Sequence, residues 1–420
     1  MSAPPPKKKR GFSGAIAPPT LSICLIVKNE ASRLERCFRS VIGLPSALSW
    51  ELIVVDTGST DRTLAIAKHW GAKTCRFPWR DDFAAARNFS IQCAQGEWIL
   101  ILDADEQLTA TAQKELPQAM ANTQAIAYQL LRQEQESDSA PYSLITRLFR
   151  RRPDLYFSGL YHESVDDALN RLIQQEPHWH ILSLPQIALL HDGYRRDRRS
   201  QKSDFAHRLM TAHLQQHPHD IYMLTKLGAL EVERGNLTAG MALLEQAWQD
   251  TQAQRPSAAI TFELLYHLGI SAEELGQPQR AIAHYHAALE QPIADVLKLP
   301  AYVNLATLAQ HQGANATAIA HYQTALSLDP THAPTLLNLG ITYRQANDLG
   351  RAIATYQQLL HHHPHHALGH QNLGVAYWHL GHIPEAITAW RQSHQFHLEQ
   401  GHSQAATQLA EHLNSLGVAL

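Results

Sequence analysis

Four apolar runs mark the first hundred residues, and each gives way to polar residues and then to helical spacing. Leu21 to Lys28 is a compact β-rich run that ends in Asn29-Glu30 and passes into a helix-like segment, Ala31 to Val41. Glu51 to Val55 is a second run, followed by Asp56-Thr-Gly-Ser-Thr-Asp61, where Gly58 allows a tight turn and Ser59 or Thr60 can cap a helix beginning near Arg62. Lys73 to Arg76 reads as a third strand and Asp82 to Ala94 as a helix with Phe83, Ala86, Phe89 and Ile91 on its apolar side. Gly96 then precedes Trp98 to Glu106, a strand of wholly apolar residues that stops in three closely spaced carboxylates. Four alternations of strand and helix imply a mainly parallel, right-handed α/β sheet.

A sheet of that kind gathers whatever follows its strand carboxyl ends, so Asn29, Glu30, Asp56, Asp61, Asp103 and Asp105 are expected along one crevice. Carboxylates are tolerable there and not within a strand buried on both faces. Asp103 and Asp105, two apart, are hard oxygen ligands of the kind that holds Mg²⁺ or Mn²⁺ together with substrate phosphates. Arg87, on the helix before them, can meet phosphate charge or pair with an aspartate. Taken singly, Asp61 reads equally well as a helix start and Arg87 as a surface cation; the ordered set is what points to a site.

Composition narrows the class. The chain has 420 residues, 45% of them hydrophobic and 17% charged, which suits two or more packed units. A net charge of −3 leaves no global basic field for nucleic acid. The dense basic stretch Lys7 to Arg10, after Pro4-Pro5-Pro6, is expected to be a disordered, solubilising arm over residues 1–18, with contact to anionic lipid as the alternative. No run of eighteen apolar residues and no leader pattern occurs, so a cytoplasmic location without a transmembrane segment is expected. Cys24, Cys37, Cys75 and Cys93 lack metal-type spacing and are expected to be free thiols.

Downstream, Ala125 to Leu131 and Ser143 to Arg150 read as strands of a smaller, mixed sheet, and Ser164 to Ile173 as a helix. Between them lie His162 and Glu163, and after them an apolar strand, Gln186 to Leu190, ending in His191-Asp-Gly-Tyr194. Glu163 can solvate the following helix or serve as a base, and His191 can be a ligand or a structural histidine. Arg195 to Arg199 is expected to be a solvated linker, closing a first domain at about residues 19–200, with a connecting segment over 201–220.

From about residue 221 the chain turns to Ala, Leu, Gln and His at helical spacing, and it repeats. Leu305-Ala306, Leu339-Gly340 and Leu373-Gly374 are 34 apart, as are Ala318, Ala352 and Ala386, and Tyr322, Tyr356 and Trp390. Leu268-Gly269 and Leu227-Gly228 extend the series backward with insertions of 3 and 7. The period resembles tetratricopeptide (TPR) repeats, about five of them over 221–400, with a capping helix in 401–420. That resemblance implies an all-α solenoid with a surface for a protein or peptide. The histidines at 361, 362, 363, 365 and 366 read as a solvated helix end.

The first half resembles the nucleotide-binding part of family 2 glycosyltransferases with the GT-A fold. The resemblance rests on Val-Lys-Asn-Glu (27 to 30), Val-Val-Asp-Thr-Gly-Ser-Thr-Asp (54 to 61), Ala-Arg-Asn (86 to 88) and Leu-Asp-Ala-Asp-Glu (102 to 106). It implies a Rossmann-like α/β domain that uses a nucleotide-sugar donor, a UDP-sugar first among them, with inversion. Asp56 would contact the base, Asp103 the ribose region, and Asp105 a Mn²⁺ or Mg²⁺ ion; Asn29, Glu30 and Asp61 would line the donor pocket. Arg87 would orient the acidic groups or the diphosphate. Glu163 would be the base, with Asp166 and Asp167 as rivals, and His191 would complete the metal shell. The acceptor, a protein, a peptide or an envelope glycan, would be presented with help from the repeats. A TPR scaffold carrying a degenerate transferase domain is the competing reading.

Overall fold

The computed structural model describes residues 19–135, 141–159, 163–192 and 199–418. His162, Arg195 to Arg198 and the arm 1–18 lie outside the described residues. The chain divides into two compact units, Met1–Gln216 and His217–Leu420.

In the first unit β1 (Leu21–Val27), β2 (Trp50–Asp56), β3 (Lys73–Arg76) and β4 (Trp98–Ile101) alternate with helices α1 (Leu34–Ile42), α2 (Thr63–His69) and α3 (Phe83–Cys93). Then come β5 (Glu106–Leu108), α4 (Ala110–Met120), β6 (Ala125–Glu134), β7 (Tyr142–Arg150), α5 (Asp166–Gln175), β8 (His180–His191) and α6 (Arg199–Gln216). The strands form one eight-stranded sheet in the order β3-β2-β1-β4-β7-β6-β8-β5. The first four are parallel; β7 joins β4 antiparallel and continues the same sheet. The separate smaller sheet expected from the sequence is therefore the far half of this one.

Period-two alternation explains its two covered faces. Leu21, Ile23 and Leu25 of β1 and Trp98 and Leu100 of β4 share a core with Leu34 and Phe38 of α1 and Leu116 of α4. Cys24, Ile99 and Ile101 point the other way, into a core with Ala84 of α3 and Leu169 and Leu172 of α5. Helix α1 begins at Leu34 rather than Ala31, because the Arg33 and Leu34 N–H groups close turns on the Glu30 carbonyl. The four cysteines are free, as expected.

The second unit is all helix. Five hairpins pair α7 (Ile221–Glu233) with α8 (Leu237–Gln254), α9 (Ala258–Glu274) with α10 (Pro278–Leu289), α11 (Leu299–His311) with α12 (Asn315–Leu328), α13 (Ala333–Gln345) with α14 (Leu349–His362) and α15 (Ala367–His379) with α16 (Ile383–Glu399). Helix α17 (Ser403–Ser415) packs Leu409 and Leu413 against Trp390. The insertions fall where the period stretches. Helix α8 has 18 residues where α12 and α14 have 14, and a 3-10 turn, Asp295–Lys298, precedes α11. A Cβ on Gly340 would lie 2.3 Å from the Tyr356 ring, and one on Gly269 2.4 Å from that of Tyr285. The periodic small residue is thus the seat of the aromatic ring on the other helix of its own hairpin; the Tyr285 hydroxyl then reaches Asn304 of the next.

Candidate active site

Two loops meet beyond the ends of β1 and β2. Asn29 takes the left-handed conformation, φ 58°, tolerated by asparagine. Its Oδ1 accepts from the Thr60 N–H at 2.8 Å and the Thr60 hydroxyl at 3.3 Å, while its own N–H donates to Ser59 Oγ. Asp61 accepts from the Ala31 N–H through Oδ2 and from the Thr63 N–H and hydroxyl through Oδ1. Burial opposes the Asp61 charge, yet these bonds hold its carboxyl below the usual range. Asn29 and Asp61 therefore brace the loop pair, and it is Asp61, not Ser59 or Thr60, that meets the first N–H of α2. Asp56 ends β2 almost fully buried, its Oδ1 accepting from the Ser59 N–H at 3.0 Å.

The acidic loop after β4 is tied into a chain of alternating charges. Arg87, buried on α3, donates from Nε to Glu163 Oε1 at 2.5 Å and from Nη2 to Asp103 Oδ1 at 2.8 Å. Asp103 Oδ2 accepts from Arg147 Nη2 at 2.8 Å, and the same nitrogen lies 3.7 Å from Glu106 Oε1. Glu106, fully buried, pairs with Arg132 at 3.1 Å; Arg132 Nε reaches Glu134 Oε1 at 2.9 Å; Glu134 Oε2 bonds His191 Nδ1. His191 Nε2 then faces Asp105 Oδ2 at 3.5 Å, and Arg33 Nη1 touches that oxygen at 3.3 Å and Glu30 Oε2 at 3.8 Å. The chain joins Glu163, Arg87, Asp103, His191, Asp105 and Glu30, all given site roles from the sequence, through Glu106, noted there only as the third carboxylate after the strand, and through Arg147, Arg132, Glu134 and Arg33, which were not noted.

Its electrostatics follow from low polarity and close partners. Burial disfavours the Asp103 charge, but Arg87 and then Arg147 hold its carboxyl far below the ordinary range. Burial likewise opposes the Arg87 charge, and Asp103 and Glu163 override it, keeping the guanidinium protonated. For His191, burial pulls the pKa down while Asp105 and Glu134 push it up to about 9. Among the described residues Arg87 Nη1, which is buried, has no hydrogen-bond partner, so it can serve an oxygen brought by a ligand.

Three residues anchor the chain on either side of Glu163. Asn88 donates to the Phe157 carbonyl at 2.9 Å and accepts from its N–H at 2.8 Å. Asp166 accepts the Thr146 and Ser164 hydroxyls on separate oxygens, at 2.5 and 2.6 Å, and Asp167 accepts from Ser158 at 3.2 Å. The rivals of Glu163 are thereby engaged in local structure.

For a divalent ion, the residues fit. Asp105 offers a carboxylate oxygen and His191 an imidazole nitrogen within 3.5 Å of each other, a hard and a borderline donor that suit Mn²⁺. Among the described residues no group of three or more His, Cys, Asp or Glu could hold an ion unaided. Arg132 and Glu134 were missed because β6 runs past Leu131; their charge at alternate positions was the available signal. Arg33 and Arg147 carry no such signal.

Comparisons with known proteins agree with this architecture. Residues 22–182 match the family model for glycosyl transferase family 2. Residues 263–291, 298–361 and 337–395 match tetratricopeptide repeat models. A TPR repeat-containing protein of Synechococcus elongatus is 44% identical over 304 residues, 72% of this chain and 73% of that protein. An uncharacterized glycosyltransferase of Rickettsia bellii is 36% identical over 141 residues, 31% of this chain and 46% of the relative. The glycosyltransferase SunS of Bacillus phage SPbeta is 28% identical over 200 residues, 44% of this chain and 42% of SunS. In the described residues no helix is long and apolar enough to cross a membrane. The chain belongs to the proteins that join a family 2 glycosyltransferase domain to a run of tetratricopeptide repeats.

Proposed function

We propose that the first unit transfers a sugar, with inversion, from a nucleotide-sugar donor, a UDP-sugar first, to a hydroxyl of a protein, peptide or envelope-glycan acceptor that the repeats help to present. The observation that carries this reading is the Arg87 guanidinium, which holds Glu163 on one side and Asp103 on the other. It supports a site where donor and acceptor chemistry meet.

Asp56 would bind the base and Asp103 the ribose region, with Asn29 and Asp61 keeping the two donor loops in register. Glu163 would take the acceptor hydroxyl proton as that oxygen bonds to the anomeric carbon and the bond to the diphosphate breaks. Arg87 would keep Glu163 aimed, with Nη1 open to substrate oxygen. Asp105 and His191 would hold a divalent cation. When bound, Mn²⁺ or Mg²⁺ supplies neutralisation of diphosphate charge. With only two protein donors, water and phosphate oxygens must supply the remaining ligands.

The test is release of nucleoside diphosphate by the full chain from a panel of UDP- and GDP-sugars, with peptide and glycan acceptors. Acceptor-dependent release, abolished in Glu163→Gln, is expected. Only background hydrolysis across every donor and acceptor would refute the reading.

A further inference from the structure

We infer that Glu134, held by Arg132, is a positioning residue that fixes the His191 ring so that Nε2 is presented to a divalent cation shared with Asp105. This rests on the metal reading above and adds to it the device that makes a histidine at the sheet edge a usable ligand.

The geometry is set by strand register. Residues Glu134 and His191 are direct partners in the parallel pairing of β6 with β8, and Glu106 is the partner of His191 in the antiparallel pairing of β5 with β8. His191 therefore sits between two acidic side chains. Glu106 is engaged by other groups, Arg132 at 3.1 Å on Oε1 and the Asp103 N–H at 2.9 Å on Oε2. Glu134 is turned toward it and takes Nδ1. Arg132, two residues before Glu134 on the same face of β6, holds Glu134 Oε1 with Nε at 2.9 Å, leaving Oε2 to the imidazole. A guanidinium clamped between two carboxylates cannot swing, so the Glu134 carboxylate is fixed in turn.

The consequence is chemical. A histidine can give a metal a lone pair from only one nitrogen, and the hydrogen bond at the other decides which. With Nδ1–H donating to Glu134, the proton that a cation must displace is the one on Nε2, the nitrogen 3.5 Å from Asp105 Oδ2, and the lone pair so uncovered points at the shared site. The carboxylate also raises the donor strength of the ring. The Asp192 N–H donates to the Asp105 carbonyl at 3.1 Å, so the end of β8 holds the acidic loop at the matching height.

The experiment is Mn²⁺ binding to the full chain in the presence of UDP, read by electron paramagnetic resonance, with the nitrogen modulation of the bound ion as a direct report of imidazole coordination. Variants are Glu134→Gln, Arg132→Met and His191→Ala, each checked for wild-type thermal unfolding and for UDP binding without metal. Wild type should bind Mn²⁺ with nitrogen modulation and His191→Ala should lose that modulation. Glu134→Gln should raise the Mn²⁺ Kd by roughly 10- to 100-fold and weaken the modulation, and Arg132→Met should do so to a smaller extent. Unchanged Mn²⁺ affinity and modulation in Glu134→Gln, beside a clear loss in His191→Ala, overturns the positioning role while leaving the metal reading standing. Absence of Mn²⁺ binding in wild type, or modulation retained in His191→Ala, overturns the metal reading and this inference with it.

Discussion

Glu163 accepts a hydrogen bond at 2.5 Å from the Nε of Arg87, a residue 76 positions earlier on a buried helix face. The same guanidinium holds Asp103 Oδ1 through Nη2 at 2.8 Å, so one buried cation ties Glu163 to the acidic loop.

If Glu163 is the base, Glu163→Gln keeps shape and most hydrogen bonding but cannot accept a proton. Donor affinity should persist while transfer falls by at least about a hundredfold. Calorimetry of donor binding beside single-turnover transfer checks this; transfer at near wild-type rate would move the role to Asp166 or Asp167.

Asp103→Asn should behave differently. Asp103 balances Arg87 and Arg147 on separate oxygens, so the amide leaves two guanidinium groups undercompensated. Donor binding should weaken along with turnover, and the chain should lose stability by about 1–3 kcal/mol. Denaturant midpoints with calorimetry read both effects.

Asp105→Asn removes the oxygen that faces His191 and Arg33. Turnover should drop by orders of magnitude if departing diphosphate charge is compensated there, whereas stability should change by about 1 kcal/mol or less, since Arg33 is partly exposed. EDTA should abolish transfer and Mn²⁺ or Mg²⁺ restore it; full activity in chelator contradicts a metal at this position.

Gly340→Ala should destabilise the repeat unit. The added carbon would stand 2.3 Å from the ring of fully buried Tyr356, a clash worth about 1–3 kcal/mol, against a helix-propensity gain of up to about 1 kcal/mol. A denaturation midpoint unchanged from wild type would show that Tyr356 can give way.

Acid should weaken the repeat unit. His397 is buried, neither ring nitrogen has a hydrogen-bond partner among the described residues, and burial, followed by His402 and His394, holds its pKa below the ordinary 6.5. The unfolded chain then binds the proton first, so this stability is present above about pH 6.5 and is lost as pH falls through the depressed folded value. His284, His321 and His370 are shifted the same way. Thermal unfolding should shift downward between pH 7.5 and pH 5.5, less steeply in His397→Leu; identical slopes would remove His397 from the cause.

Much of this protein is legible in its sequence because the signals are local. Continuous apolar runs at β1 and β4, helical spacing between strands, and the interval of 34 in the repeats are patterns carried by the order of residues alone. They placed Asp103 and Asp105 beyond a strand end and Asp56 at one, and set the small residues and the aromatics of the repeats at one common interval; that each ring is seated on the small residue of its own hairpin came from the structure. What pairs with what was decided only by the tertiary structure. Arg87 meets Glu163, Arg147 meets Asp103 and Glu134 meets His191 across 76, 44 and 57 residues, through strand register and helix placement that no local period encodes. The same holds for the single sheet: β7 pairs with β4 across a long excursion of chain, and that pairing brings Arg147 to the acidic loop. A charge in a sequence states only that a partner or water must be found; burial between particular strands selects which.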